Sequence, residues 1–267
     1  MIEDPFRWVE AIANRREYIE HQLAGGSPVI AVSCAPGVLL LTLSRERQKI
    51  FEIYDRIAMG AIGHPGDIER LRMAAIEATS AEGFARSPYD VSLRRLVSYN
   101  LSPTLKSAFE QIYGPPFLVQ LLFAEIGRPG EADLLVRLDY DGSFYTNGGT
   151  FHKEVRPYMA ISGRPQATEW MERFLEPFAE SFPGMSLEEA EAVALDAWVV
   201  GTMAQKMQLE ALPSAKAIAA ERESQLANAT VEAALLDRET ASHVAYRPLH
   251  VELVEKRGSA VSKPAET

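Results

Sequence analysis

Apolar residues recur at helical spacing near the start of the chain. Phe6, Val9, Ile12 or Ala13, and Ile19 or Leu23 form a stripe, while Glu10, Arg15, Arg16, Glu17, Glu20 and His21 face elsewhere. Asp4 suits an N-cap, Pro5 suits the first helical position, and Gly25-Gly26 ends the helix. The pattern then changes to short continuous apolar runs. Ser27–Cys34 and Gly37–Leu43, joined by Ala35-Pro36, predict a hairpin. Lys49–Ile53 and Ile57–Ile62 predict two more strands around the turn Tyr54-Asp55-Arg56.

Helical periodicity returns over Pro65–Ala85 and again over Ser92–Tyr113, where Pro103 predicts a kink or a break. Strands are predicted at Phe117–Ile126, at Ala132–Tyr140 and Ser143–Tyr145 around the Asp141-Gly142 turn, and at Tyr158–Ser162. An amphipathic helix follows over Ala167–Phe182, with Pro177 straining its last turn. A capping box at Ser186 starts another, running to about Met207. Lys206–Asn228, rich in Ala, Glu and Lys and broken by Pro213, predicts a partly helical, exposed connection. Thr230–Leu236 and Val244–Leu249 predict a closing strand pair, and Gly258–Thr267 predicts a disordered tail.

Strands and helices thus come in blocks, not in βα alternation, which predicts an α+β fold. Two helix pairs flanking two strand groups predict a four-layer αββα sandwich with an extra N-terminal helix. Three segments follow: an N-terminal segment over 1–26, a main domain over 27–255 and a tail over 256–267.

Composition narrows the function. The 267 residues are 47% hydrophobic and 24% charged, the balance of a globular protein. Asp plus Glu outnumber Lys plus Arg by 37 to 27, a net charge of −10, which argues against nucleic acid as a partner. The single cysteine, Cys34, excludes an internal disulfide framework and a Cys-built metal site. No apolar run approaches the ~18 residues of a membrane span, and the first sixteen residues lack a signal-peptide core. The expectation is a cytoplasmic protein with no metal or cofactor. His21 falls on an exposed helix face, and His152, His243 and His250 have no carboxylate or Cys at metal spacing. Ser27, Ser33 and Ser44 have no His-Asp partners by pattern, and Gly142…Gly148-Gly149 lacks a P-loop lysine.

The order and spacing of these segments resemble a proteasome core-particle subunit, specifically the bacterial α type. SPVIAVSCAPGVLLL (Ser27–Leu41) is similar to the family's first hairpin, and KIFEIYDRIAMGAIGH (Lys49–His64) to its next strands. PGDIERLRMAAIEATSAEGF (Pro65–Phe84) is similar to its first long helix. PPFLVQLLFAEIG (Pro115–Gly127), LDYDGS (Leu138–Ser143) and VEAALLDRETASHVAYRPL (Val231–Leu249) continue the likeness over about residues 5–250.

The resemblance implies the fold of N-terminal-nucleophile hydrolases. Active members free a Thr, Ser or Cys at the start of the first strand, and its α-amine serves as base. Ser27, after Gly26, holds that position. An active hydrolase that removes residues 1–26 is therefore the alternative reading. Four features oppose it. Pro28 restricts Ser27 to extended backbone. Leu43 stands where the family's enzymes carry a carboxylate. The late Asp and Ser-Gly are missing from Lys206–Asn228, and residues 1–26 read as a capped helix.

The resemblance instead implies a non-catalytic α-type subunit. It would form a heptameric outer ring on proteolytic β-type subunits, gate substrate entry, and dock a ring-shaped ATPase activator. The helix Pro5–Leu23 would assemble the ring, with Met1, Ile2, Phe6 and Trp8 at the gate. Lys49 would line an activator-tail pocket and pair with a chain-terminal carboxylate, beside Gly26, Gly63 and His64. The glycines would admit a backbone close by, and His64, a departure from the family, would make docking pH-sensitive.

Overall fold

The computed structural model describes residues 5–45, 47–111, 113–148 and 155–249, with side chains described from Trp8 onward. Met1, Ile2, the Phe6 side chain, Gly149, His152, His250 and the tail 256–267 lie outside the described residues.

Two five-stranded antiparallel sheets face each other. The first has the order β10-β9-β2-β1-β8, from β1 (Val29–Cys34), β2 (Gly37–Ser44), β8 (Tyr158–Ile161), β9 (Thr230–Asp237) and β10 (Tyr246–Leu249). The second has the order β3-β4-β5-β6-β7, from β3 (Ile50–Tyr54), β4 (Ile57–Gly63), β5 (Val119–Glu125), β6 (Leu134–Asp139) and β7 (Phe144–Thr146). Alternation explains why the central strands read as unbroken apolar runs. In β1 and β2, Val29, Ala31, Val38 and Leu40 enter the core between the sheets, where they meet Ala58, Ile62, Leu122 and Ala124. Ile30, Val32, Leu39 and Leu41 point the other way, onto Met171 and Trp198. Both faces are buried, so neither can be polar.

Helices close the outside. α5 (Pro165–Leu175) and α6 (Leu187–Lys206) cover the first sheet. α2 (Pro65–Ala85), α3 (Leu93–Arg95) and α4 (Ser102–Glu110) cover the second through Ile68, Leu71, Leu93 and Leu105. This is the four-layer αββα sandwich expected of the α+β reading. α1 (Pro5–Leu23) lies across one end, with Ile19 and Leu23 buried in the inter-sheet core and Ile12 packed beside them. Arg15 donates to the Ala108 and Gly114 carbonyls, Arg16 pairs with Asp141, and the Tyr140 hydroxyl donates to Glu20. Trp8, Val9 and Tyr18 stay exposed, so α1 packs on its own domain mainly through its second half.

The break expected in the helix over Ser92–Tyr113 is present, and two other expectations need correction. A π-helical turn at Leu96–Leu101 lies between α3 and α4. That wide turn precedes Pro103, which has no N–H to give, and Ser102 N bonds the Val97 carbonyl five residues back. The helix over Ala167–Phe182 stops at Leu175, before Pro177, and gives way to 3-10 turns at Glu176–Phe178 and Phe182–Gly184. Lys206–Asn228 contains α7 (Ala215–Leu226), started by Ser214 just after Pro213 and packed on α6. Ile218 is buried, Arg222 pairs with Asp196 and Lys206 with Glu221, so the segment is an added piece of the outer layer.

Candidate functional site

The chain enters its first sheet at one mouth of the sandwich. There the end of α1, the end of β2, the start of β3 and the start of α2 surround a cleft of about 940 Å³. Ser27, Leu43, Lys49, Gly63, Trp198 and Thr202 are among its lining residues.

The backbone over Gly26–Pro28 is held on every carbonyl. The Gly26 carbonyl accepts Gln205 Nε2 at 2.8 Å, and Gly26 N donates to Leu23 O at 2.8 Å, continuing the last turn of α1. The Ser27 carbonyl accepts Lys49 Nζ at 2.7 Å. The Pro28 carbonyl accepts Thr42 Oγ1 at 2.6 Å and Trp198 Nε1 at 3.0 Å. The Ser27 hydroxyl donates to the Leu43 carbonyl at 2.8 Å, with Thr42 Oγ1 3.5 Å away. A backbone carbonyl cannot take that proton. Leu43 is buried and apolar where an orienting carboxylate would be needed. The Ser27 nitrogen is in a peptide bond, and among the described residues its hydroxyl bonds no basic side chain.

Lys49 is partly buried at the start of the edge strand β3. Its main-chain N–H donates to Glu232 Oε1 and Oε2 at 2.8 and 3.0 Å, and Ile50 N donates to Oε1 at 2.7 Å. Glu232 shares the inward face of β9 with Ala234 and Leu236 and pairs across the ladder with Thr42. Burial pushes the Lys49 ammonium down to about 8, and Glu232 partly restores it. Burial pushes the Glu232 carboxyl up, against the pull of the Lys49 and Ile50 N–H groups and the Lys49 charge.

Of the four expected pocket residues, Lys49 and Gly63 line the cleft. Gly63 has φ +133°, and a Cβ there would sit 1.9 Å from the Leu118 carbonyl oxygen. A Cβ on Gly26 would sit 2.1 Å from Ile62 Cγ2. The backbone and side chain that these glycines admit belong to this chain, which accounts for both without a ligand. His64 caps α2, its Nδ1 accepting Gly66 N at 3.2 Å, and is not among the cleft's lining residues.

The sequence reading missed Glu232, Gln205 and the cleft arginines Arg45, Arg47 and Arg164. A carboxylate inside the apolar run Val231–Leu236 was a signal for Glu232, whereas Gln205 and Arg164 gave none. Ser33 does meet a carboxylate, Asp133, but that carboxylate also binds Arg238 and Gly127 N, and among the described residues no histidine joins them. His21 and His243 are exposed. Among the described residues no group of three His, Cys, Asp or Glu could hold a metal ion, and no helix is long and apolar enough to cross a membrane.

The family model described as "Proteasome subunit" matches residues 24–208. "Proteasome subunit alpha" of Xylanimonas cellulosilytica is 31% identical over 243 residues, covering 90% of this chain and 89% of that protein. The Streptomyces scabiei protein of the same name is 30% identical over 190 residues, 70% of this chain and 71% of its own length. That of Thermomonospora curvata is 31% identical over 183 residues, 68% and 73%.

Proposed function

We propose a structural and gating role for a chain that belongs to the proteasome subunit family as one of its α-type members. It forms an outer ring of seven copies in the cytoplasm, stacked on β-type subunits that hold the threonine-type protease activity. α1 joins neighbouring copies through its first half, where its own domain leaves Trp8 and Val9 exposed. Met1, Ile2, Phe6 and Trp8 gate the axis. A ring-shaped ATPase docks its chain terminus in the cleft at Lys49, where an ammonium facing a carboxylate makes a charge-assisted hydrogen bond.

One observation carries the non-catalytic reading. The Gly26–Ser27 peptide is continuous with a packed helix, its carbonyls are occupied, and the Ser27 hydroxyl is spent on a backbone acceptor. Intact mass spectrometry tests it: the expected chain retains residues 1–26. A mature chain beginning at Ser27, with peptide-bond cleavage by the lone polypeptide, would establish the hydrolase alternative. For the cleft, Lys49→Ala is expected to leave the ring assembled and abolish ATPase-stimulated degradation. Unchanged stimulation with an intact ring would refute the pocket.

A further inference from the structure

The charges in the Lys49 cleft run against those of the whole chain. Among the described residues, Arg45, Arg47, Arg164, Lys49 and Lys206 line it, against one acid, Glu69, in a protein of net charge −10. Glu69 is committed to Arg72, and Lys206 to Glu221. Among the described residues, none of the ion pairs involves the guanidinium of Arg45, Arg47 or Arg164. Such a concentration of positive charge around a concave, partly apolar space gathers small anions. At its wall stands one amine in an unusual setting. The Lys49 side chain donates to the uncharged Ser27 carbonyl, and the two Glu232 oxygens are occupied by main-chain N–H groups.

We infer that Lys49 is a covalent modification site: the cleft captures a small anionic acyl donor, an acyl phosphate, and Lys49 takes the acyl group. The guanidiniums hold the phosphate end, as planar forks suited to its oxygens. The Lys49 ammonium first gives one proton to solvent. The neutral nitrogen then attacks the carbonyl carbon of the donor. The C–N bond forms, the carbon–oxygen bond to phosphate breaks, and phosphate leaves with that electron pair. The nitrogen loses a second proton to solvent, leaving an amide. Burial, which pushes Lys49 down to about 8, enlarges the neutral fraction well beyond that of an ordinary lysine. The neighbouring hydroxyl does not compete, since Ser27 Oγ is committed to the Leu43 carbonyl. The product removes the cation at this position, so modification would switch off any carboxylate docking there.

The inference concerns the lone chain and does not rest on ring assembly or activator docking. Its test exposes the full-length protein to acetyl phosphate at neutral pH, with acetylation rates read per lysine by peptide mass spectrometry. The chain has seven lysines, of which Lys106 and Lys216 are exposed references. Lys49 is expected to react about tenfold faster than either, the gain in neutral amine being partly offset by lower nucleophilicity. Inorganic phosphate is expected to slow Lys49 while leaving the references unchanged, and Arg164→Gln to do the same without added phosphate. Lys49 reacting no faster than Lys106 and Lys216 would overturn the inference. A fast Lys49 indifferent to phosphate in the wild-type protein would overturn it equally, because the cleft would then capture nothing.

Discussion

Glu232 binds the main-chain N–H of Lys49 across 183 residues of sequence, at 2.8 Å. The bond joins β9 of one sheet to the start of β3 in the other. The Lys49 side chain makes a second link, from the start of β3 back to the Ser27 carbonyl, two residues before β1. Two sheets that meet largely through apolar side chains are thus stapled by polar bonds at this mouth.

Removing that staple should be costly. Glu232→Ala leaves two edge-strand N–H groups without their acceptor, and is expected to cost about 1–3 kcal/mol. Glu232→Gln keeps an acceptor oxygen and should cost less. Urea unfolding of the three proteins checks the order; equal midpoints would show that the link adds nothing.

Two glycines in the same region should respond in opposite ways. A Cβ at Gly63 meets the Leu118 carbonyl at 1.9 Å on a backbone of φ +133°, so Gly63→Ala should lower the melting temperature sharply or prevent folding. Nothing lies within 4 Å of a Cβ at Gly25, so Gly25→Ala should fold normally. Similar thermal shifts for both would contradict the packing around β4 and β5.

Asp133 predicts a loss of stability in acid. Burial pushes its carboxyl up, but bonds from Arg238, Ser33 and Gly127 outweigh that and hold it below the ordinary value of 3.8. A carboxyl depressed in the folded state stabilises above its unfolded value, and the contribution fades as pH falls through the folded one. Asp133→Asn should therefore be less stable than wild type at neutral pH, with the gap closing below 3.8. A gap independent of pH would sink the argument.

Lys49 predicts the opposite slope at the other end of the scale. Its folded value lies near 8, below the ordinary 10.5, so the unfolded chain binds more protons between these limits. Stability from this group rises with pH across that window. Lys49→Met removes the buried charge at similar length. It is expected to melt higher than wild type at neutral pH, with the advantage shrinking as pH climbs from about 8 to 10.5. A variant that melts lower throughout would show that the bond to Ser27 outweighs desolvation.

The amino-acid sequence by itself determined the element order, because strands buried on both faces must be continuously apolar and amphipathic helices must repeat near 3.6. Ile30 and Ala31 illustrate this: adjacent in sequence, they serve opposite faces of one sheet. It determined the Ser186 capping box and the Asp141-Gly142 turn as well, since both are written within four residues. The family resemblance, not local pattern, put Lys49 and Gly63 at one pocket, and both line the cleft. What it could not determine were contacts between distant segments. Pairing of Glu232 with Lys49, and of Gln205 with the Gly26 carbonyl, exists only once two sheets are stacked and α6 is laid across one of them. The packing of α7 on α6 was hidden for a related reason: Ile218 alone is too little apolar signal until Asp196 and Lys206 supply partners for Arg222 and Glu221. The positive cleft in an acidic chain is likewise a tertiary product, since Arg164 reaches Arg45 and Arg47 only through the folded mouth of the sandwich.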